Sequence, residues 1–127
     1  MPELIAEQKN AKKRLFIAST KPKIYIDRIL RYFEIRHFFK SIYGSELDVT
    51  RSIKLDLLRY IFSKLMFKEN ETVMIGDRIQ DIEAAKCVGV SSIWLDYGYG
   101  DKFERDSANP DYICDSIDEL RKLLNKI

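Results

Sequence analysis

Asp77 and Asp81 stand four residues apart, directly after the apolar run Val73-Met74-Ile75 and the glycine that breaks it, Gly76. That run is long enough for a buried strand. Ile82, Ala84, Ala85 and Val88 then fall at helical spacing, and Gly89 is placed to end the helix. Strand, glycine turn, acid and helix is how open α/β sheets present ligands, at the carboxyl ends of their strands. With the helix starting near Ile79, Asp77 lies on the turn and Asp81 in the first helical turn. Both could reach one hard cation, because Mg²⁺ takes oxygen ligands, often one or two carboxylates completed by substrate phosphate. The same acids would equally serve a helix that needs only a cap and a complement to its dipole.

A second set of polar groups lies upstream. The apolar segment Arg14–Ala18 reads as a strand and ends in Ser19-Thr20-Lys21-Pro22, a hydroxyl pair followed by a helix-opening proline. Lys54 falls in the first turn of the strongest helix, Ile53–Phe67, whose apolar face is Leu57, Leu58, Ile61, Phe62 and Leu65. A lysine at that end opposes the helix dipole, which favours anions there, and local conflicts of this kind often mark functional sites. Taken singly, Ser19 and Thr20 read as hydroxyl caps and Lys54 as a surface lysine.

These groups need elements to position them. Pro2–Lys13 reads as a helix, and Ile26, Ile29, Leu30 and Phe33 mark one face of another. Ile35–Phe39 is a turn, Lys40–Tyr43 a short strand and Gly44–Ser52 a polar loop. Lys68–Glu71 leads into the Val73 strand, Ser91–Leu95 is a further strand, and Asp96–Asp101 is an aromatic loop containing Tyr97 and Tyr99. Pro110–Cys114 is extended, and Ser116 with Glu119 makes a capping box for a last helix carrying Leu120, Leu123, Leu124 and Ile127. Alternation of helices and strands argues for an α/β fold, a parallel sheet with helices on both faces.

Length and composition set the bounds. A chain of 127 residues reads as a single domain, 1–127, able to bury a core. With 22 basic and 20 acidic residues interspersed, there is no case for a nucleic-acid surface. No long apolar run suggests a membrane span, and no signal-peptide pattern opens the chain. Cys87 and Cys114 lack metal-ligand spacing and read as buried reduced thiols, and His37, the only histidine, as a surface residue. A cytoplasmic protein fits these features.

Ser19-Thr20-Lys21 at a strand end, Lys54 after the pair Arg51-Ser52, and Gly76-Asp77-Arg78 with Asp81 occur in one order along the chain. Together with Ile42-Tyr43-Gly44-Ser45-Glu46-Leu47-Asp48 and Tyr97-Gly98-Tyr99-Gly100, this order resembles the haloacid dehalogenase (HAD) superfamily of phosphatases, in its phosphoglycolate phosphatase-like branch. The resemblance covers nearly the whole chain. It implies a three-layer, Rossmann-like core and a hydrolase of small phosphorylated metabolites. In such enzymes a strand-end aspartate attacks phosphorus, a second aspartate two residues on acts as general acid and base, and Mg²⁺ bridges nucleophile and phosphate. By resemblance, Ser19 would hydrogen-bond a phosphate oxygen with support from Thr20, Lys54 would neutralise charge on nucleophile and phosphate, and Asp77 and Asp81 would hold Mg²⁺ directly or through water.

One departure is large. The family's first motif, an apolar strand ending in Asp-x-Asp, is absent, and the first aspartate here is Asp27, inside an amphipathic helix. The chain reads as a core domain that begins after the nucleophile strand and after the small helical cap. In the family the nucleophile strand lies between the strand ending at Ser19 and the strand ending at Asp77. Its loss would leave two edges unpaired, and open edges invite association. The expectations are therefore a chain with little or no phosphatase activity alone, and an edge that closes on itself or is filled by a second copy or a separate N-terminal fragment. An incomplete or decayed coding sequence is a further reading, and so is a pseudo-phosphatase module that binds through its residual anion site or its open edge.

Overall fold

The computed structural model describes residues 2–45, 53–66, 68–96 and 100–126. Arg51-Ser52, residues 46–48 of the Ile42–Asp48 motif, Phe67, Tyr97–Tyr99 and Ile127 lie outside the described residues. The chain divides into two compact units, Met1–Leu57 and Leu58–Ile127.

The first unit is built on α1 (Pro2–Asn10), β1 (Phe16–Pro22), α2 (Lys23–Tyr32) and β2 (Ser41–Ser45). β1 and β2 pair in parallel, with Phe16 opposite Ser41, Ile17 opposite Ile42 and Ala18 opposite Tyr43. Ile26 and Leu30 of α2 bury against Ile42, with Ile17, Ile35 and Phe39 around them. The spacing predicted a wider apolar face. Ile29 and Phe33 are instead 47% and 64% exposed. Strands lie about 4.8 Å apart, so a two-stranded sheet is narrow and covers one stripe of a helix rather than a broad face. The first strand runs on to Pro22 and the second takes in Gly44 and Ser45, both further than their apolar runs suggest.

The second unit holds β3 (Val73–Gly76), α4 (Ile79–Val88), β4 (Ser91–Leu95), α5 (Lys102–Ala108), β5 (Tyr112–Cys114) and α6 (Ile117–Lys126), with α3 (Lys54–Leu65) spanning the division. The sheet order is β3-β4-β5, every pair parallel. The α/β class with parallel strands is therefore as expected, though the described strands form two sheets, with β1 in one and β3 in the other. Central β4 buries Ser92, Ile93 and Trp94 completely. The Ser92 hydroxyl is satisfied inside: Asp111 Oδ2 accepts from Ser92 N at 2.9 Å and Ser92 Oγ at 3.3 Å, while Ser92 Oγ accepts from Asp111 N at 3.2 Å.

α4 packs Ile79 and Ile82 against Trp94 and Ala108. It ends as its glycine foretells. Gly89 takes φ +82°, and the Gly89 and Val90 amides donate to Lys86 O and Ala85 O. Cys114 is buried as expected, and burial, then the nearby Glu119 and Asp115 carboxylates, push its thiol up. Cys87 is exposed, against expectation. The buried stripe of α4 runs through Ile82 and Ala85, which turns Cys87 outward. α5 was unforeseen in a stretch with no apolar periodicity. The Ser116 hydroxyl accepts from Glu119 N at 3.1 Å, whereas the Glu119 carboxylate takes the Asp115 amide, at 3.0 Å, in place of the Ser116 amide of a full capping box.

Candidate functional site

In the first unit, three residues of β1, Ser19, Thr20 and Lys21, lie between Ala18, opposite Tyr43, and Pro22, opposite Ser45. Only Gly44 stands across from them. The hydroxyl motif is thus a bulge at the carboxyl end of its strand, a device that re-aims side chains beside sites. Gly44 fits because a Cβ there would stand 2.6 Å from the Lys21 carbonyl oxygen and 2.9 Å from the Lys23 nitrogen. Ser19 is half-buried and its Oγ accepts from Lys21 N at 3.2 Å, which leaves its O–H as a donor. Thr20 is exposed. Lys54 Nζ reaches across and donates to Ala18 O at 2.7 Å. The strand-end hydroxyls and the helix-start lysine, 34 or 35 positions apart in sequence, therefore meet at one strand end.

In the second unit, Asp77 occupies the turn after β3 and Asp81 the first turn of α4, as predicted. Asp81 is only 8% exposed, and its Oδ2 accepts from the Asp77 and Arg78 amides, each at 3.3 Å. The carboxylate so fills the inside of the turn that a Cβ on Gly76 would run into it. Arg78 at the N-cap offers no acceptor of its own. The Ile79 amide is met by Glu104 of α5, whose Oε1 accepts at 3.0 Å. Gly100 donates its amide to Asp77 O at 2.9 Å and lies against Trp94, again where a side chain would collide.

The donor chemistry suits Mg²⁺, since both acids offer hard oxygens. One oxygen of Asp81 is committed to the turn, and no cluster of three or more metal-ligating side chains occurs among the described residues. The pair fits an ion that keeps several waters and takes phosphate oxygens, not one held in an all-protein cage.

Glu104 was missed in the sequence, and Gly44 was picked out only as a member of the Ile42–Asp48 motif, with no role of its own. The signal for Glu104 was present: Asp101-x-x-Glu104 has N-cap-to-N3 spacing, and the Asp101 carboxylate accepts from Glu104 N at 2.8 Å. Gly44 sat inside a stretch read as loop, where a glycine says little.

The Ser19–Lys21 bulge and the Asp77 turn each lie at the carboxyl end of a parallel strand, the end at which α/β proteins present ligands. The family profile described as haloacid dehalogenase-like hydrolase matches residues 1–95, and the chain belongs to that family. It is 35% identical over 124 residues to a 5'-nucleotidase of Pseudomonas aeruginosa, covering 98% of this chain and 56% of that protein. It is 29% identical over 122 residues to a phosphoglycolate phosphatase of Vibrio parahaemolyticus, covering 96% and 54%. The crystal structure of a predicted phosphatase from Clostridium acetobutylicum superposes with a TM-score of 0.94 at 34% identity, covering 98% of this chain and 58% of that one. The chain thus spans little more than half the length of these relatives, and it is phosphoglycolate phosphatase-like within the family.

Proposed function

We propose that this chain carries the phosphate-holding and metal-holding groups of a Mg²⁺-dependent phosphomonoester hydrolase, and that it does not itself supply the attacking aspartate. The observation that carries the reading is Lys54 Nζ at 2.7 Å from Ala18 O, beside the Ser19–Lys21 bulge. In this reading Ser19 donates its O–H to a phosphate oxygen, Thr20 supports it, and Lys54 offsets the negative charge that gathers on phosphate and nucleophile. Asp77 and Asp81 are the residues that would hold Mg²⁺, which stabilises charge on a transferring phosphoryl group. The substrate is a small phosphorylated metabolite, in keeping with relatives named for 5'-nucleotides and phosphoglycolate. The sequence contains no Asp-x-Asp, so an aspartyl-phosphate route needs a carboxylate from elsewhere.

The test is Mg²⁺-dependent hydrolysis of an aryl phosphate by the purified chain beside Asp77→Ala. The expected result is no turnover above that control. Turnover abolished by Asp77→Ala would show that a carboxylate of this chain, or of a second copy, serves as nucleophile. A second reading is a pseudo-phosphatase module that engages a partner through a sheet edge. It is favoured by β1 and β3, each of which pairs on one side only among the described residues.

A further inference from the structure

The turn that presents Asp77 is held by a residue from a different helix. Helix starts leave backbone N–H groups without intrahelical partners, and the residue at the N-cap usually answers them with its own side chain. Arg78 cannot. Asp81 Oδ2 serves the Asp77 and Arg78 amides, and Glu104 Oε1 serves the Ile79 amide at 3.0 Å. The same Glu104 oxygen accepts from Arg78 Nε at 3.1 Å. Its side chain is 17% exposed, against 52% for Arg78, so the carboxylate sits at the inner end of the pair.

We infer that Glu104 is a positioning residue for the Asp77 turn, holding α5 and the acid after β3 as one piece.

Three further ties support this. Gly100, just before α5, donates to Asp77 O at 2.9 Å. Arg105 Nη1 donates to both Asp96 oxygens, at 3.2 and 3.1 Å, fixing α5 to the end of β4. Lys86 Nζ donates to Ala108 O at 2.8 Å, fixing the far end of α5 to α4. A helix of seven residues has little stability of its own, so α5 is shaped by these ties. Charge adds a second reason. Arg78 is a cation next to an acid that would take a cation, and Glu104 neutralises it. An exposed ion pair alone is worth little, so the backbone amide of Ile79 is the more telling partner.

The inference uses Asp77 as a Mg²⁺-holding group in only one arm of its test. In the first arm, amide exchange is followed by NMR in the wild-type chain, Glu104→Ala and Glu104→Gln. A lost cap corresponds to about fivefold, so Asp77, Arg78 and Ile79 should exchange about fivefold faster in Glu104→Ala, relative to Ile93 and Trp94 of β4. Glu104→Gln keeps an oxygen acceptor and should restore most of the protection. Unchanged exchange at 77–79, or a rise matched throughout β4, would overturn the inference. In the second arm, Mg²⁺ alone is titrated and read at the Asp77 amide, with Asp77→Asn as control. The apparent Kd should rise about fivefold in Glu104→Ala and less in Glu104→Gln. If Asp77→Asn binds Mg²⁺ as the wild type does, or neither binds it, the metal reading of Asp77 fails and the exchange arm alone decides on Glu104. If Asp77→Asn abolishes binding while Glu104→Ala leaves it unchanged, Glu104 is a helix cap only and the positioning role is overturned.

Discussion

Asp81 and Gly76 depend on each other. The carboxylate turns back on the strand end and takes two backbone amides, and it can do so only because Gly76 has no side chain in its way. Gly76→Ala should therefore cost about 1–3 kcal/mol, the usual penalty for forcing atoms into a filled site. Urea denaturation of the two chains measures it, and an unchanged midpoint would mean that the turn relaxes freely. The acid pair was legible from its spacing, whereas the direction in which Asp81 faces was not, because i, i+4 spacing suits a metal ligand and a capping acid alike. The cysteines give a second prediction at this scale. Cys87 is exposed and Cys114 buried with its thiol pushed up, so a thiol-directed reagent at neutral pH should modify the first quickly and the second only on unfolding. A buried thiol whose folded value is raised contributes stability at pH below its unfolded value, near 8.5, and loses it as pH rises through the folded one. Two equally fast thiols by mass spectrometry would contradict the burial of Cys114.

The β1 bulge and α2 show what element-level patterns can and cannot carry. The strand and helix were both legible, from an apolar run and a 3.6-residue stripe. The bulge was not, because it arises from pairing: three residues of β1 face one glycine of β2, and nothing in Ser19-Thr20-Lys21 alone announces it. Gly44→Ala would bring a methyl group against Lys21 O, Lys23 N and the Ile26 methyl. It should cost about 1–3 kcal/mol and shift the Ser19–Lys21 amides in an NMR spectrum, while those of β5 stay in place. Shifts confined to Gly44 itself would deny the bulge its packing. On the same unit, the Arg31 guanidinium and then that of Arg36 hold the Asp27 carboxyl below the usual range, at N–O distances of 2.6 and 3.0 Å. Because the folded value is depressed, this contribution is present above the unfolded value of about 3.9 and is lost as pH falls through the folded one. An NMR titration of Asp27 should move upward toward the ordinary carboxylate range in Arg31→Ala. No movement would mean that Arg31 does not set it.

For the whole molecule, parallel α/β alternation was legible because each strand and most helices carry their own pattern, and α5 escaped because its order comes from contacts to Ile79, Asp96 and Lys86 rather than from its own face. The order of strands in a sheet is a global property that no local pattern states, and here it decides where the chain is open. β3 pairs with β4 alone among the described residues, and its Val73, Met74 and Ile75 are only half-buried, whereas Ser92 and Ile93 of central β4, opposite Met74 and Ile75, are buried. An apolar parallel edge of this kind is a template for another strand. The chain should therefore associate with itself, or with a polypeptide that supplies an apolar strand, and Met74→Lys should weaken that association while leaving the fold intact, since lysine on an edge opposes pairing. Sedimentation over a wide range of concentration measures the first, and circular dichroism of the variant checks the second. A wild-type chain that stays monomeric throughout and ignores an added apolar-strand peptide would remove the edge as an interface. A chain that takes up such a peptide ending in Asp-x-Asp and then hydrolyses an aryl phosphate would join the edge to the chemistry, because the strand that completes the sheet would also bring the attacking carboxylate.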